Sequence, residues 1–390
     1  MLCEDVFYSI YNKMPAEISF CPYRVSPLGA HIDHQSGIIT GFAIDRGIHI
    51  AYEPKYSGMI ELSSVNFDRR ARFHVNSVPD VPQNGWADYC RGATKELHAR
   101  YGLSIGINAV IEGSLPIGGL SSSAAVMIAY MKALSAVNGI TLTQQELITM
   151  AKDAENNYVG VRCGQMDQYC EVYSRKSHLL YLDCQDNSWD LLPLSPKMPE
   201  FGIGIFCSGI QRTLQVTDYN LRQDECKVSA YTLRAFAGLP GTTFQETRLR
   251  DVPLDVYHRW SDRLPEKFQK RAAHFFGEMA RVRKGVDAWK KGDMKTFGSL
   301  IFESGRSSIE NYECGSPELI TLYTILTETE GVFGGRFSGA GFKGACMALI
   351  DPSRSEEIFR HVEERYLRAY PHLEGKYLGV MCHSADGAGM

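Results

Sequence analysis

The 390-residue chain reads as an α+β protein of two domains. Strand-like stretches crowd its first half and helix-like periodicity fills its second, without the regular β-α alternation of a doubly wound sheet. The length exceeds one ordinary core and suits two of about 150–200 residues each. Hydrophobic residues at 44% and charged residues at 22% supply a balance that can bury such cores.

The elements follow in order. From Cys21 to Pro54, glycines at 29, 37, 41 and 47 punctuate apolar runs, which predicts strands and turns. Residues 105–111 (IGINAVI) form another strand. The turn at Gly113–Pro116 leads into a helix over 122–137, with Ile128, Met131 and Leu134 as its apolar stripe and Asn138-Gly139 as its stop. A second helix is expected over 144–158, then a strand over 179–182. Pro193, Pro196 and Pro199 mark 187–201 as a seam, dividing the chain into domains 1–195 and 196–390. Beyond it, helices are expected near 217–237, 265–291, 293–305 and 315–329, then a glycine loop between two strands and a further helix.

Composition narrows the function. A net charge of −4 supports neither nucleic-acid nor anionic-membrane binding. Eleven cysteines without a C-x-x-C pair suit reduced cytoplasmic thiols better than disulfides or zinc. Residues 1–20 lack the basic and apolar blocks of a signal peptide, and no apolar run reaches bilayer length.

The segment Pro116-Ile117-Gly118-Gly119-Leu120-Ser121-Ser122-Ser123 is the most informative. Glycines admit close backbone approach, and the serines open a helix whose free N–H groups and dipole favour an anion such as phosphate. Serine hydroxyls also suit Mg2+, which prefers hard oxygen ligands. A simple well-capped helix would use the same residues. No Walker A sequence occurs. The loop Gly339–Gly344 formally matches G-x-G-x-x-G, but a strand stopped by Pro352 follows it, so a strand–loop–strand hairpin is expected instead of a dinucleotide site.

Other polar residues stand out. His31, Asp33 and His34 share one short loop whose spacing fits no standard zinc pattern and better suits a hydroxylated ligand or a solvated turn. Glu155 and Asp167 offer one carboxylate for a metal and one for a proton, two needs of phosphoryl transfer, although surface carboxylates are the commoner case. Arg212 to Arg222 forms a polar stretch containing Tyr219.

Together these segments resemble the three motifs of the GHMP kinases, and within them the galactokinases. Arg24–His34 is similar to the sugar signature, Pro116–Ala125 to the ATP-phosphate motif and Arg336–Phe342 to the third motif. Ala154-Glu155, Cys163–Gln168, Ser208–Cys226, Trp86–Tyr89 and Lys270–Val282 also resemble family segments, in the right order over nearly the whole chain. The resemblance implies a two-domain GHMP kinase fold, with a ribosomal-protein-S5-like ATP-binding domain followed by an α+β domain, using ATP and Mg2+. It implies that Asp167 is the base, Arg24 stabilises the transferring phosphoryl group, and Ser123 and Glu155 hold Mg2+. Pro116, Gly118, Gly119, Leu120, Ser121, Ser122 and Ser123 would cradle the phosphates. His31, Asp33, Gly164, Tyr219 and Gly341 would meet the sugar.

Departures from the galactokinase pattern bear on the substrate. Ala30 stands where galactokinases have a glutamate that binds the sugar's C6 hydroxyl, a charge that would repel a uronic acid. Arg212 and Lys343 are candidates for meeting a C6 carboxylate. Residues 22–34 and 307–315 more closely resemble the galacturonokinase branch of the family, implying a kinase for the anomeric hydroxyl of D-galacturonate; a divergent galactokinase is the alternative. Some relatives sense sugar and ATP without catalysis, but Arg24, Glu155, Asp167 and the uninterrupted serine loop favour an enzyme. A monomer or weak homo-oligomer in the cytoplasm, with a hexuronic acid and ATP as its small-molecule partners, completes the expectation.

Overall fold

A computed structural model describes residues 2–68, 70–116, 118–210, 217–342 and 344–389. Helix α1 (Cys3–Tyr11) leads into β1 (Glu17–Val25) and the long β2 (Ile38–Lys55), followed by β3 (Met59–Ser64), β4 (Ala71–His74), α2 (Asp88–Tyr101) and β5 (Gly106–Gly113). Next come α3 (Ser122–Val137), α4 (Gln144–Asp153), α5 (Met166–Tyr173), β6 (His178–Asp183) and β7 (Ser188–Pro193). The strands form an eight-stranded sheet in the order β4-β3-β5-β2-β6-β7, with β1 also paired to β2. Among the described residues only the β3–β5 pair is parallel.

The remainder comprises β8 (Gly202–Cys207), α6 (Thr217–Phe236), α7 (Leu254–Trp260), α8 (Glu266–Lys291), α9 (Met294–Glu310), α10 (Pro317–Thr327), β9 (Val332–Phe337), β10 (Ala345–Ile350), α11 (Ser355–Ala369), β11 (Leu378–Cys382) and β12 (Ser384–Ala385). Strands β11-β8-β10-β9 make an antiparallel sheet, while β12 returns to pair with β2. The fold is thus α+β. One apolar cluster runs between the two sheets. Trp289 on α8 packs 5.6 Å from Phe42 of β2, ring centre to ring centre, and its indole N–H donates to Leu192 O at 3.1 Å.

Three local differences have physical causes. The proline-marked stretch 187–201 contains β7, an edge strand whose last residue is Pro193, where no ladder donor is missed. The helix expected over 144–158 stays α-helical only to Asp153 and widens into a π-turn at Ala154–Val159, which carries Glu155. Asp167, in a stretch for which no helix is expected from sequence, lies in the first turn of α5, where the helix dipole favours a carboxylate. Helices α3, α6, α8, α9 and α10 and the β9–β10 hairpin form where periodicity and breakers predict them.

Candidate active site

The phosphate-like loop stands between β5 and α3. Gly118 and Gly119 adopt φ of 136° and 82°, values that disfavour side chains. The hairpin loop packs backbone to backbone against it: a Cβ on Gly119 would approach Ser338 O to 2.8 Å, and one on Gly344 would approach Gly118 C to 2.6 Å. The second glycine loop therefore buttresses the first. Ser121 caps α3 with φ 64°, and its carbonyl accepts from Ala125 N at 3.1 Å.

One cavity collects Arg24, Ala30, His31, Asp33, Gly119, Ser121, Ser123, Glu155, Asp167 and Tyr219 from segments far apart in sequence. Arg24 is buried on β1, and its Nε donates to Asp167 Oδ1 at 2.7 Å. Its Nη1 donates to Gly119 O at 3.0 Å, joining the acid to the phosphate-like loop. Glu155 is buried, and its Oε2 accepts from Gln168 Nε2 at 3.2 Å and Cys163 Sγ at 3.3 Å. Burial, with Asp167's charge, pushes the Asp33 carboxyl up to about 6. Burial also raises the Tyr219 hydroxyl well above its usual range, Asp33's charge adding to it.

The remaining expected residues divide. Gly164 packs so tightly on Asp33 that a Cβ would come within 2.0 Å of its Oδ2. Leu120 is buried beneath the loop and Pro116 is exposed, so neither lines the cavity. Gly118 and Ser122 flank the lining residues Gly119, Ser121 and Ser123, while Gly341 packs against Cys314, a Cβ there reaching its Sγ at 3.0 Å. Arg212 and Lys343 lie outside the described residues. His31 stacks on Tyr312 at 4.3 Å, and burial, reinforced by Arg336, lowers its pKa well below the usual range. His34 shares hydrogen bonds with Tyr312 OH at 3.1 Å and Gln35 Nε2 at 3.0 Å, partners that engage both ring nitrogens.

Several supporting groups lie on Lys270–Val282, a segment that resembles the family but whose individual residues were given no role from sequence. Glu278 on α8 is fully buried; its Oε1 accepts from Gly29 N at 2.8 Å, Ala30 N at 3.1 Å and Ser304 Oγ at 2.7 Å. Its Oε2 accepts from Arg281 Nε at 2.7 Å. His274 Nε2 donates to Ala30 O at 2.8 Å, so both polar backbone groups of residue 30 are held. Burial opposes ionisation of Glu278, but Arg281, His274, Arg336 and Ser304 hold its pKa down to about 2. Because this lies below the unfolded value near 4.5, the stability it contributes is present above that pH and is lost as pH falls toward 2. Glu278→Gln is expected to lower the unfolding free energy by about 3 kcal/mol at pH 7. Urea denaturation should show the difference shrinking below pH 4; a constant difference would detach it from ionisation.

Phe67 and Trp86 stack with ring centres 6.0 Å apart. Asn66 beside Phe67 exchanges hydrogen bonds with Gly113, at 3.1 and 2.7 Å, where β5 runs into the phosphate-like loop.

The GHMP kinases N terminal domain matches residues 88–175, and the GHMP kinases C terminal domain matches residues 286–368. The chain belongs to the GHMP kinase family, as an ATP-dependent sugar kinase. It is 36% identical over 401 residues to a galacturonokinase of Arabidopsis thaliana, covering 97% of this chain and 94% of that protein. Identity to a galactokinase of Roseiflexus sp. (strain RS-1) is 32%, covering 98% and 95%. The solved structure of Lactococcus lactis galactokinase complexed with galactose shares the fold at TM-score 0.88 and 24% identity, covering 98% of this chain and 97% of that one. Among the described residues, no helix is long and apolar enough to cross a membrane.

Proposed function

We propose that the protein transfers the γ-phosphoryl group of ATP to the anomeric hydroxyl of D-galacturonate, giving galacturonate 1-phosphate and ADP. The observation that carries the substrate choice is Ala30, a methyl group on the cavity wall whose backbone is held by Glu278 and His274. A uronate carboxylate meets no acidic side chain at that position.

Asp167 accepts the proton from the attacking hydroxyl, and Arg24 beside it stabilises charge on the transferring group. The backbone around Gly119 and the start of α3 cradle the phosphates, while Phe67 and Trp86 offer the base a stacking face. The Glu155 carboxylate and Ser123 hydroxyl are hard oxygen donors lining the same cavity and fit Mg2+, which takes few protein ligands and completes its shell with phosphates and water. When bound, that ion neutralises phosphate charge. Asp33 and Tyr219 orient the sugar hydroxyls. We further assign the residues 1–195 and 196–390 to the two kinase domains, and the protein to the cytoplasm as a monomer or weak homo-oligomer.

Asp33 sets an expected pH dependence. Ionised, it only accepts hydrogen bonds from sugar hydroxyls; protonated, it loses acceptor capacity. With its pKa near 6, the sugar KM should rise about tenfold per unit as pH falls below that value. Initial rates from pH 5 to 8 check this, and a flat KM would remove Asp33 from sugar binding.

The substrate test is ADP release from the purified protein with ATP and Mg2+, comparing D-galacturonate, D-glucuronate, D-galactose and L-arabinose. Preference for galacturonate supports the proposal. Preference for galactose would keep the enzyme class and discard the uronate, and no turnover on any sugar would point to a sensor.

A further inference from the structure

We propose that Arg336 is the guanidinium that receives the C6 carboxylate of the hexuronate, an inference that rests on the galacturonate assignment above. Four arginines are buried among the described residues: Arg24, Arg91, Arg271 and Arg336. Three have carboxylates at ion-pair distance. Arg24 meets Asp167 at 2.7 Å, Arg91 meets Asp88 at 2.8 Å, and Arg271 meets Glu225 and Glu313 at 2.7 and 2.8 Å. Arg336, on β9 and 2% exposed, has no such partner among the described residues. Its Nη1 donates to Ser26 O at 3.1 Å, and its buried Nε has no hydrogen-bond partner among the described residues.

A buried cation without an anion is costly, so proteins pair such groups or complete them with a ligand. Glu278 is the acid that acts most strongly on Arg336, but both of its oxygens are engaged by Gly29, Ala30, Ser304 and Arg281. Arg336 lies on the cavity wall with Ser26, Ala30 and His31. The charge of Arg336 also bears on His31 and His274, and His274 holds the carbonyl of residue 30. The unpaired guanidinium therefore belongs to the part of the cavity around residue 30. That residue contributes a methyl group, and the anion is left for the substrate to bring. A planar carboxylate matches the guanidinium fork in one or two hydrogen bonds.

The test measures kcat and KM of wild type, Arg336→Gln and Arg336→Lys for galacturonate, galactose and ATP. In Arg336→Gln the ratio of kcat/KM for galacturonate over galactose should fall about 100-fold, mainly through the galacturonate KM. Arg336→Lys keeps the charge without the fork and should retain part of the ratio. Galacturonate should raise the melting temperature of wild type more than that of Arg336→Gln. An unchanged ratio, or a loss confined to the ATP KM, overturns the role of Arg336; the latter would assign it to a phosphate. A wild type that does not use galacturonate overturns the substrate assignment and this inference together. If the variants do not fold, a crystal structure of wild type with galacturonate decides: the carboxylate about 3 Å from Arg336 supports the proposal, and its placement elsewhere overturns it.

Discussion

Asp167→Asn is expected to lower kcat about 10³-fold while leaving a folded protein. The amide oxygen of asparagine can still accept from Arg24 Nε, so the 2.7 Å contact has an acceptor and α5 keeps its place. What disappears is the group proposed to take the proton from the anomeric hydroxyl. A second effect works in the same direction: Arg24 is buried, and losing the charge beside it changes the field at the transferring phosphoryl group. Pre-steady-state ADP release with saturating sugar and ATP isolates the chemical step, and a thermal melt of the same sample separates misfolding from lost chemistry. Near-normal turnover would remove Asp167 as the base.

The other large effect is expected from Ala30→Glu. The backbone of residue 30 is held at its N–H by Glu278 and at its carbonyl by His274, so a longer side chain is attached to a fixed point beside the cavity. Two unit charges about 4 Å apart at an effective dielectric near 20 repel by about 4 kcal/mol, roughly 10³-fold in binding. The kcat/KM for galacturonate should fall by about that factor, while the neutral sugar galactose escapes the repulsion and gains in relative use. The introduced carboxylate would also be a competitor for Arg336. Parallel kinetics on the two sugars measure this, and uronate use left intact would remove residue 30 as a determinant of specificity.

Much of the architecture was legible because it is encoded locally. The α3 helix begins after the Gly-Gly-Leu-Ser run and stops at Asn138-Gly139, since backbone freedom and capping are properties of neighbouring residues. The β9–β10 hairpin was readable as strand, glycine loop and strand ended by Pro352. By contrast, α5 was hidden: Met166–Tyr173 is only eight residues long, too short for a helical period to stand out. The strand β7 was hidden by the prolines at 193, 196 and 199, of which only Pro193 lies in the strand, at its last residue, where an edge strand accommodates it.

The sequence by itself determined which chemistries this protein holds: a glycine-serine loop able to approach an anion, acids at 155 and 167, an arginine at 24, and a methyl group at 30. Those are side-chain identities and short-range conformational preferences, carried by each residue wherever it lies. Only the tertiary structure decided which of them meet. Arg24 reaches Asp167 across 143 positions of sequence, and Glu278 grips the backbone of residue 30 across 248. The packing of one glycine loop on the other likewise arises only there, as does the contrast between three paired buried arginines and Arg336, which has no carboxylate at ion-pair distance among the described residues. The physical reason is that burial and ion pairing depend on what surrounds a group in space, a property no local pattern carries.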